Sequence, residues 1–421
     1  MLRSNDTTSQ WLLYKCFDKL VRVVFSYSWY LYVGLALLEV GLIVEKYGEE
    51  DSPYSVYTSI FLLLVPFIGI FWYVFGRLVS GQSYPCVYTS ASYGSSTLLP
   101  PTTNQLVTIL KLKESSPYQN GKAHGRLLCK QVIDVVTSYG WLCPVKVIKT
   151  HRFPPLLIQE IQGIVDGVNE VSCRTTLTLY DLLAVYFVAD KFAACTCIGI
   201  KKPLVTNGKS TSPGFFLARN MDWIPFGMAQ NSLILEYDNG LRLLTAPGLI
   251  GGVTGWKDDL RFAMNVCPDP HVYYSSALPS VLYNRMLIDS CRTSEDVLKY
   301  IDTAPDPRNA FHLTIMDEKD LFSVAFFQFF ELNNPTKHYI RRPTVGHPLI
   351  VVNDSSCGAS TFLSSDRQHR LAQQPLNTLT HLKKGLQTCQ SWITVHSVIF
   401  DSNPSVSPLI SIRNGFAADY L

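Results

Sequence analysis

The sequence predicts a globular domain of mixed helix and strand behind an N-terminal pair of membrane-spanning helices. Three observations carry this: two long apolar runs before residue 80, helical spacing of apolar residues between 126 and 191, and short β-rich runs separated by Gly and Pro after residue 195. Composition agrees. Of 421 residues, 47% are hydrophobic and 16% charged, below the roughly 25% charged that is usual in soluble domains. The formal net charge is +3, from 36 Lys+Arg against 33 Asp+Glu. That leaves no basic excess to neutralise a phosphate backbone, and nucleic acid is not an expected partner. The cysteines number eleven; an odd count without framework spacing reads as mostly reduced thiols.

Residues 1–22 form a tail, and residues 23–79 carry the expected transmembrane hairpin. Val23–Val44 and Val56–Val79 are apolar or aromatic with one charge each, Glu39 and Arg77. Helices of about 22 to 24 residues, rising about 1.5 Å per residue, span the roughly 30 Å hydrocarbon core. Their length, their pairing and the lack of a small-residue cleavage site exclude a signal peptide. Lys15, Lys19 and Arg22 precede the first run, Arg77 closes the second, and the turn Glu45–Pro53 between them is acidic. The positive-inside rule then puts both ends of the hairpin, and the rest of the chain, on the cytoplasmic side of a membrane.

Residues 80–104, rich in Ser, Thr, Pro, Gly and Tyr, read as a linker. Beyond them Gln105–Lys113 alternates like a strand, and Arg126–Tyr139, Leu156–Val171 and Asp181–Lys191 read as helices. The last of these leads to Cys195 through Ala193 and Ala194. The segments CTCIGI, FFLAR, SLILEY, LRLLTA, RFAMNV, FHLTIMD, LFSVAFF and LIVVN follow as strands.

Several short motifs stand in order along this domain. They are Cys195-Thr196-Cys197-Ile198, Ala218-Arg219-Asn220-Met221-Asp222-Trp223, Pro247-Gly248 through Gly255-Trp256, Ala263-Met264-Asn265, Val352-Asn353, and Ser364-Ser365-Asp366-Arg367. Upstream lie Ser116-Pro117-Tyr118 through His124-Gly125, and the helical stretches Glu160–Val168 and Thr178–Ala184. In this order and spacing the set resembles the N-terminal-nucleophile (Ntn) cysteine hydrolases of the acid ceramidase, choloylglycine hydrolase and penicillin acyltransferase group, over about three quarters of the chain from residue 105. The resemblance implies an α+β fold, a four-layer αββα sandwich, here preceded by the hairpin. It also implies two parts divided by self-cleavage between Ala194 and Cys195, residues 105–194 and 195–421, which stay associated after the cut.

A free thiol near pKa 8.5 is only a few per cent thiolate at neutral pH and needs a base. In the family that base is the α-amino group of the nucleophile itself, whose reference pKa of about 7.7 to 8.0 suits the task. It exists only once the preceding peptide bond is cut. The resemblance makes Cys195 the nucleophile, Arg219 the cation favouring its thiolate, and Asp222 the carboxylate orienting the new amine. Asn353 would donate its side-chain amide to the oxyanion, with the backbone N–H of Asn265 as second donor. Arg367 would support the site, with Arg370 three residues on as the other candidate for that part.

Simpler readings stand beside these. A strand cysteine alone reads as a small buried hydrophobe, and Cys197 is taken as packing. Arg219 and Asp222 could be a structural ion pair. Pro203 occupies the place of the first glycine of a phosphate loop ahead of Asn207-Gly208-Lys209-Ser210, which rejects one there. Neither a Cys-x-x-Cys pair nor His-Glu-x-x-His occurs, so neither a metal nor a cofactor is expected. His124 is a turn residue with no assigned role. The expected activity is hydrolysis of a linear amide bond of a small-molecule or lipid N-acyl amide, such as a ceramide or N-acylethanolamine, the hairpin favouring the lipid. An acyltransferase of the same fold and an uncleaved scaffold protein are the alternatives.

Overall fold

The computed structural model describes residues 88–102, 107–140, 153–173, 175–192, 194–202, 205–206, 209–210, 214–223, 232–267, 278–303, 310–326, 339–353, 362–390, 394–412 and 417–421. The strands in chain order are β1 (Ala91–Tyr93), β2 (Ser96–Leu99), β3 (Ile109–Leu112), β4 (Ala194–Lys201), β5 (Val205–Thr206), β6 (Lys209–Ser210), β7 (Phe215–Asp222), β8 (Leu233–Tyr237) and β9 (Arg242–Thr245). They continue with β10 (Thr254–Lys257), β11 (Leu260–Val266), β12 (Phe311–Met316), β13 (Leu321–Phe326), β14 (Tyr339–Arg341), β15 (Leu349–Val351), β16 (Thr394–Asp401) and β17 (Leu409–Ile412). The helices are α1 (Pro117–Leu127), α2 (Cys129–Tyr139), α3 (Pro155–Val171), α4 (Leu179–Phe192), α5 (Ser280–Ser290), α6 (Ser294–Thr303), α7 (Phe362–Ala372) and α8 (Leu379–Cys389).

One sheet has ten strands in the order β1-β2-β3-β8-β9-β10-β11-β12-β13-β14, and a second has five in the order β15-β4-β7-β16-β17. All their pairings are antiparallel except β3 with β8. The apolar residues sort into three buried sets. Leu217, Val351, Val398 and Phe400 of the smaller sheet pack with Ile234, Leu244, Trp256 and Leu321 of the larger. The other face of the larger sheet, through Leu110, Leu235, Phe262 and Leu313, packs on α1 to α6. The other face of the smaller sheet, through Ile198, Ala218 and Ile399, packs on α7 and α8. Period-2 alternation in β4, β7 and β16 is what lets each strand serve two apolar layers.

Local chemistry starts and joins the helices. Ser116 caps α1, its Oγ accepting from Gln119 N at 3.2 Å, and Pro117 takes the first turn, where an N–H would lack a helical partner. α1 and α3 approach through glycines: a Cβ at Gly121 would sit 1.9 Å from Glu160 O, and one at Gly163 would sit 2.1 Å from Tyr118 O. Thr378 caps α8 by accepting from His381 N.

The structure corrects the expected fold class and location. The hairpin over residues 23–79 lies outside the described residues, and among the described residues no helix is long and apolar enough to cross a membrane. The longest described helix, α3, has 17 residues, about 26 Å at the helical rise, and it carries Glu160, Asp166 and Glu170. The described fold is a mixed α/β one with large sheets, and no transmembrane helix occurs among the described residues, so neither the expected hairpin nor the cytoplasmic-side membrane location that rested on it has support there. The stretch read as linker also differs. Residues 91–99 form the β1-β2 edge hairpin, turning at Gly94 (φ 59). Glu114 Oε1 closes that turn by accepting from Ser95 N, Ser96 N and Ser96 Oγ, a contact 18 or 19 residues away in sequence.

Candidate functional site

Cys195 sits at the start of β4, just beyond the end of α4. β7 lies beside β4 in register, pairing Cys195 with Met221 and Cys197 with Arg219. On a strand successive side chains point to opposite faces, and paired residues share a face. Arg219 therefore stands on the face of Cys195, toward the larger sheet. Asp222, three residues on, stands on the opposite face, toward α7. Both lie within β7.

Different side chains hold different atoms of Cys195. Arg219 Nη2 donates to Cys195 Sγ at 2.9 Å, and its Nη1 donates to the carbonyl of Val253. The backbone N–H of Cys195 donates to Asn353 Oδ1 at 2.6 Å. Arg367 Nη2 donates to the same oxygen at 3.0 Å, and its Nη1 to Asp222 Oδ2 at 2.8 Å and Thr196 Oγ1 at 3.0 Å. Thr394 Oγ1 completes the carboxylate by donating to Asp222 Oδ1 at 2.5 Å. Cys195, Arg219, Asp222, Asn353 and Arg367 are all buried, so these bonds act where the dielectric is low.

Asn265 connects by another route. Its Oδ1 accepts from the Cys197 thiol at 2.9 Å, and its Nδ2 donates to Val351 O at 2.9 Å. Met264 N donates to Val253 O, so by strand alternation the backbone N–H of Asn265 points the other way, toward β12, where Asn265 pairs with His312. Asn353 Nδ2 donates to Val266 O. In the uncut chain the oxygen of Asn353, not its amide nitrogen, faces Cys195. Arg370 stands apart from the site: it pairs with Asp366 at 2.8 Å, donates to Thr388 O and is half-exposed.

Charge follows from burial. Burial pushes the Cys195 thiol up, and the Arg219 guanidinium pulls it back. Asp222 is also raised by burial, against the pull of Arg367 and Thr394. Cys197, the strand partner of Arg219, is pushed up to about 12 by burial, against the pull of the guanidinium, and stays a neutral thiol donor to Asn265.

Beside Met221, the strand partner of Cys195, lies a cleft walled by Met221, Trp223, Leu244, Leu249, Val253 and His396 among others. Cys195, Met221 and His396 form one row across β4, β7 and β16. His396 Nε2 lies 3.1 Å from Thr254 Oγ1, and burial first, then Arg219, holds its imidazole well below the ordinary range, so it is neutral. The sequence reading missed His396, Thr394 and Thr196. Thr196 lay inside a quoted motif, but β16 follows α8 in a part of the chain without a motif, and only the register of β16 on β7 brings it in.

Among the described residues no group of three His, Cys, Asp or Glu is placed to hold a metal ion. The arrangement suits acyl chemistry: a thiol held by a cation, an adjacent main-chain nitrogen held by an acceptor, and an apolar cleft alongside. No protein-family model matches the chain, and no curated protein matches it at a significant level.

Proposed function

We propose that the protein is a self-processed Ntn-type cysteine amidase that hydrolyses a linear N-acyl amide through a thioester at Cys195. The observation that carries this is the double hold on one residue: Arg219 on Cys195 Sγ at 2.9 Å, and Asn353 on Cys195 N at 2.6 Å. A packing cysteine needs neither. A nucleophile whose own amine is its base needs both, because thiol and nitrogen must be presented together.

Processing precedes turnover. The Cys195 thiol adds to the Ala194 carbonyl carbon, the C–N bond breaks, and the nitrogen takes up a proton to become the α-amine. Water then hydrolyses the Ala194 thioester, leaving the Ala194 carboxylate and a free thiol. The α-amine remains against Asn353 Oδ1, with Arg367 and Asp222 behind it. In turnover the amine takes the thiol proton, the thiolate attacks the acyl carbonyl, and the proton passes to the leaving amine; water resolves the second thioester to the carboxylic acid.

The apolar walls of the cleft suit the acyl part of such a substrate, and N-acyl lipids are one class to offer beside short-chain amides. The two fragments would remain together, since β3 from before the cut pairs with β8 from after it, and α1 to α4 share a core with the larger sheet. The test is intact mass with product release from N-acyl amides, on the native protein and on Cys195→Ala. Two fragments and acid release in the first, with one uncut inactive chain in the second, is the expected result. An uncut native chain, or equal release by both, would overturn the proposal; an uncut and inactive native chain is the outcome the scaffold alternative requires.

A further inference from the structure

The motif containing His124 lies far in sequence from Cys195, yet it reaches the site through one segment. Residues 246–253, between β9 and β10, are all buried and form neither helix nor strand. Buried backbone groups need partners, and here they find them mostly on side chains. Gly248 N donates to His124 Nε2 at 2.9 Å. Tyr186 OH donates to Gly248 O at 2.8 Å and accepts from Ile250 N at 2.9 Å. Ile250 O accepts from Arg285 Nη1 at 2.9 Å. Arg285 is in turn set by the buried carboxylate of Glu160, 3.5 Å away, and by Asp289.

The far end of the same segment is functional in position. Leu249 and Gly251 to Val253 wall the cleft, and the Val253 carbonyl receives the guanidinium whose other nitrogen holds Cys195 Sγ. The segment has little room to shift: Gly248 sits at φ +87, and a Cβ at Gly251 would lie 2.3 Å from Val281 O. His124 and Tyr186 belong to α1 and α4, before the Ala194–Cys195 bond, whereas the segment lies after it.

We propose that His124 and Tyr186 are positioning residues: together they fix segment 248–253, and through it the cleft wall and the carbonyl that orients Arg219. The inference rests on the amidase reading for its kinetic consequence. It makes the part of the chain before Cys195 a working component of the site after the cut, not a discarded leader. His124 acts as a neutral acceptor, and burial keeps it so, with a pKa of about 3.

The experiment compares full-length, self-processed wild type with Tyr186→Phe, His124→Leu and His124→Gln, thermal unfolding confirming that each is folded. Three readings are taken: amide exchange of a peptide covering 246–253, kcat and KM on a chromogenic N-acyl anilide, and the pH profile of Cys195 alkylation by iodoacetamide. Leaving Gly248 and Ile250 groups unpaired should speed their exchange about tenfold or more and raise KM about tenfold. The alkylation profile should move to higher pH as Arg219 loosens, and His124→Gln, which retains an acceptor, should restore all three to within about threefold. Wild-type exchange at 246–253 in both Tyr186→Phe and His124→Leu would overturn the inference, as would a loosened segment with wild-type kinetics and alkylation. A wild type that neither cuts nor turns over would overturn the amidase reading alone, and exchange and alkylation would still decide the positioning role.

Discussion

Asn353 presents its side-chain oxygen, not its nitrogen, to the backbone N–H of Cys195, at 2.6 Å. Its neighbours dictate that orientation. Arg367 can only donate, so it needs the oxygen; Val266 offers a carbonyl, so it needs the nitrogen. The same acceptor is in place for the α-amine that scission would release. An oxyanion role for the Asn353 amide would require it to leave Val266 O.

Replacing this acceptor by a carboxylate tests the identity of the base. In Asn353→Asp a negative charge would stand against the α-amine and favour its protonated form. The free amine would then appear only at higher pH. The acid limb of the kcat/KM profile is expected to move up in pH, with self-cleavage still visible by mass. An unshifted limb would assign the base elsewhere.

Arg367 and Asp222 form a buried ion pair at 2.8 Å. Removing one member of such a pair leaves the other charged and unpaired, at a cost of about 3–5 kcal/mol. Arg367→Leu should therefore lower the denaturant midpoint sharply. Arg370→Ala, at an exposed pair with Asp366, should change stability by less than about 1 kcal/mol. Similar losses in the two would contradict the assignment of Arg367 to the site network.

The α1–α3 crossing depends on the absence of a side chain. Gly163→Ala places a methyl 2.1 Å from the backbone oxygen of Tyr118, which no rotamer relieves. The helices must part, and the loss should exceed about 2 kcal/mol despite the better helix propensity of Ala. Gly140→Ala is the control, because its Cβ would meet nothing closer than 3.6 Å; equal unfolding midpoints for the two variants would refute the close crossing.

His124 should imprint a pH dependence on stability. Its folded pKa is about 3 against 6.5 for the ordinary side chain, so between those values the unfolded chain binds more protons than the folded one. Stability from this residue is fully present above pH 6.5 and is lost as pH falls toward 3. Asp222 and Glu160, raised by burial, work in the opposite direction, so the comparison must isolate the histidine. Wild type should gain stability relative to His124→Gln as pH rises from 3 to 6.5 and show a constant difference above. A constant difference throughout would mean that the imidazole titrates normally.

Much of the site was legible because its motifs are local. Cys195 stands at the opening of a strand that the sequence marks and Arg219 at the end of another; that Asp222 continues the second strand on its opposite face came only from the structure. The helical spacing of Leu156–Val171 and the β-rich composition of SLILEY and RFAMNV marked α3, β8 and β11, because those signals too are local. The strands of residues 91–99 were not legible, since their Ser, Thr and Tyr content is that of a loop until Glu114 closes the turn. The membrane hairpin was inferred from residues outside the described part, and nothing in the described helices supports a membrane span.

By itself the sequence singled out Cys195, Arg219, Asp222, Asn353 and Arg367 and showed that helices lead to, and strands follow, Cys195. Tertiary structure decided what those residues do to one another. The partner of Cys195 N lies 158 residues away and that of Arg367 lies 145 residues away, distances over which no local period carries information. Strand pairing and the packing of α7 on the smaller sheet make those contacts, and a slip of one residue in β7 would turn Arg219 from the thiol and face Asn220 toward it. That is why Arg367 rather than Arg370, the oxygen of Asn353 rather than its nitrogen, and His124 as the acceptor for Gly248 emerge only from the folded chain.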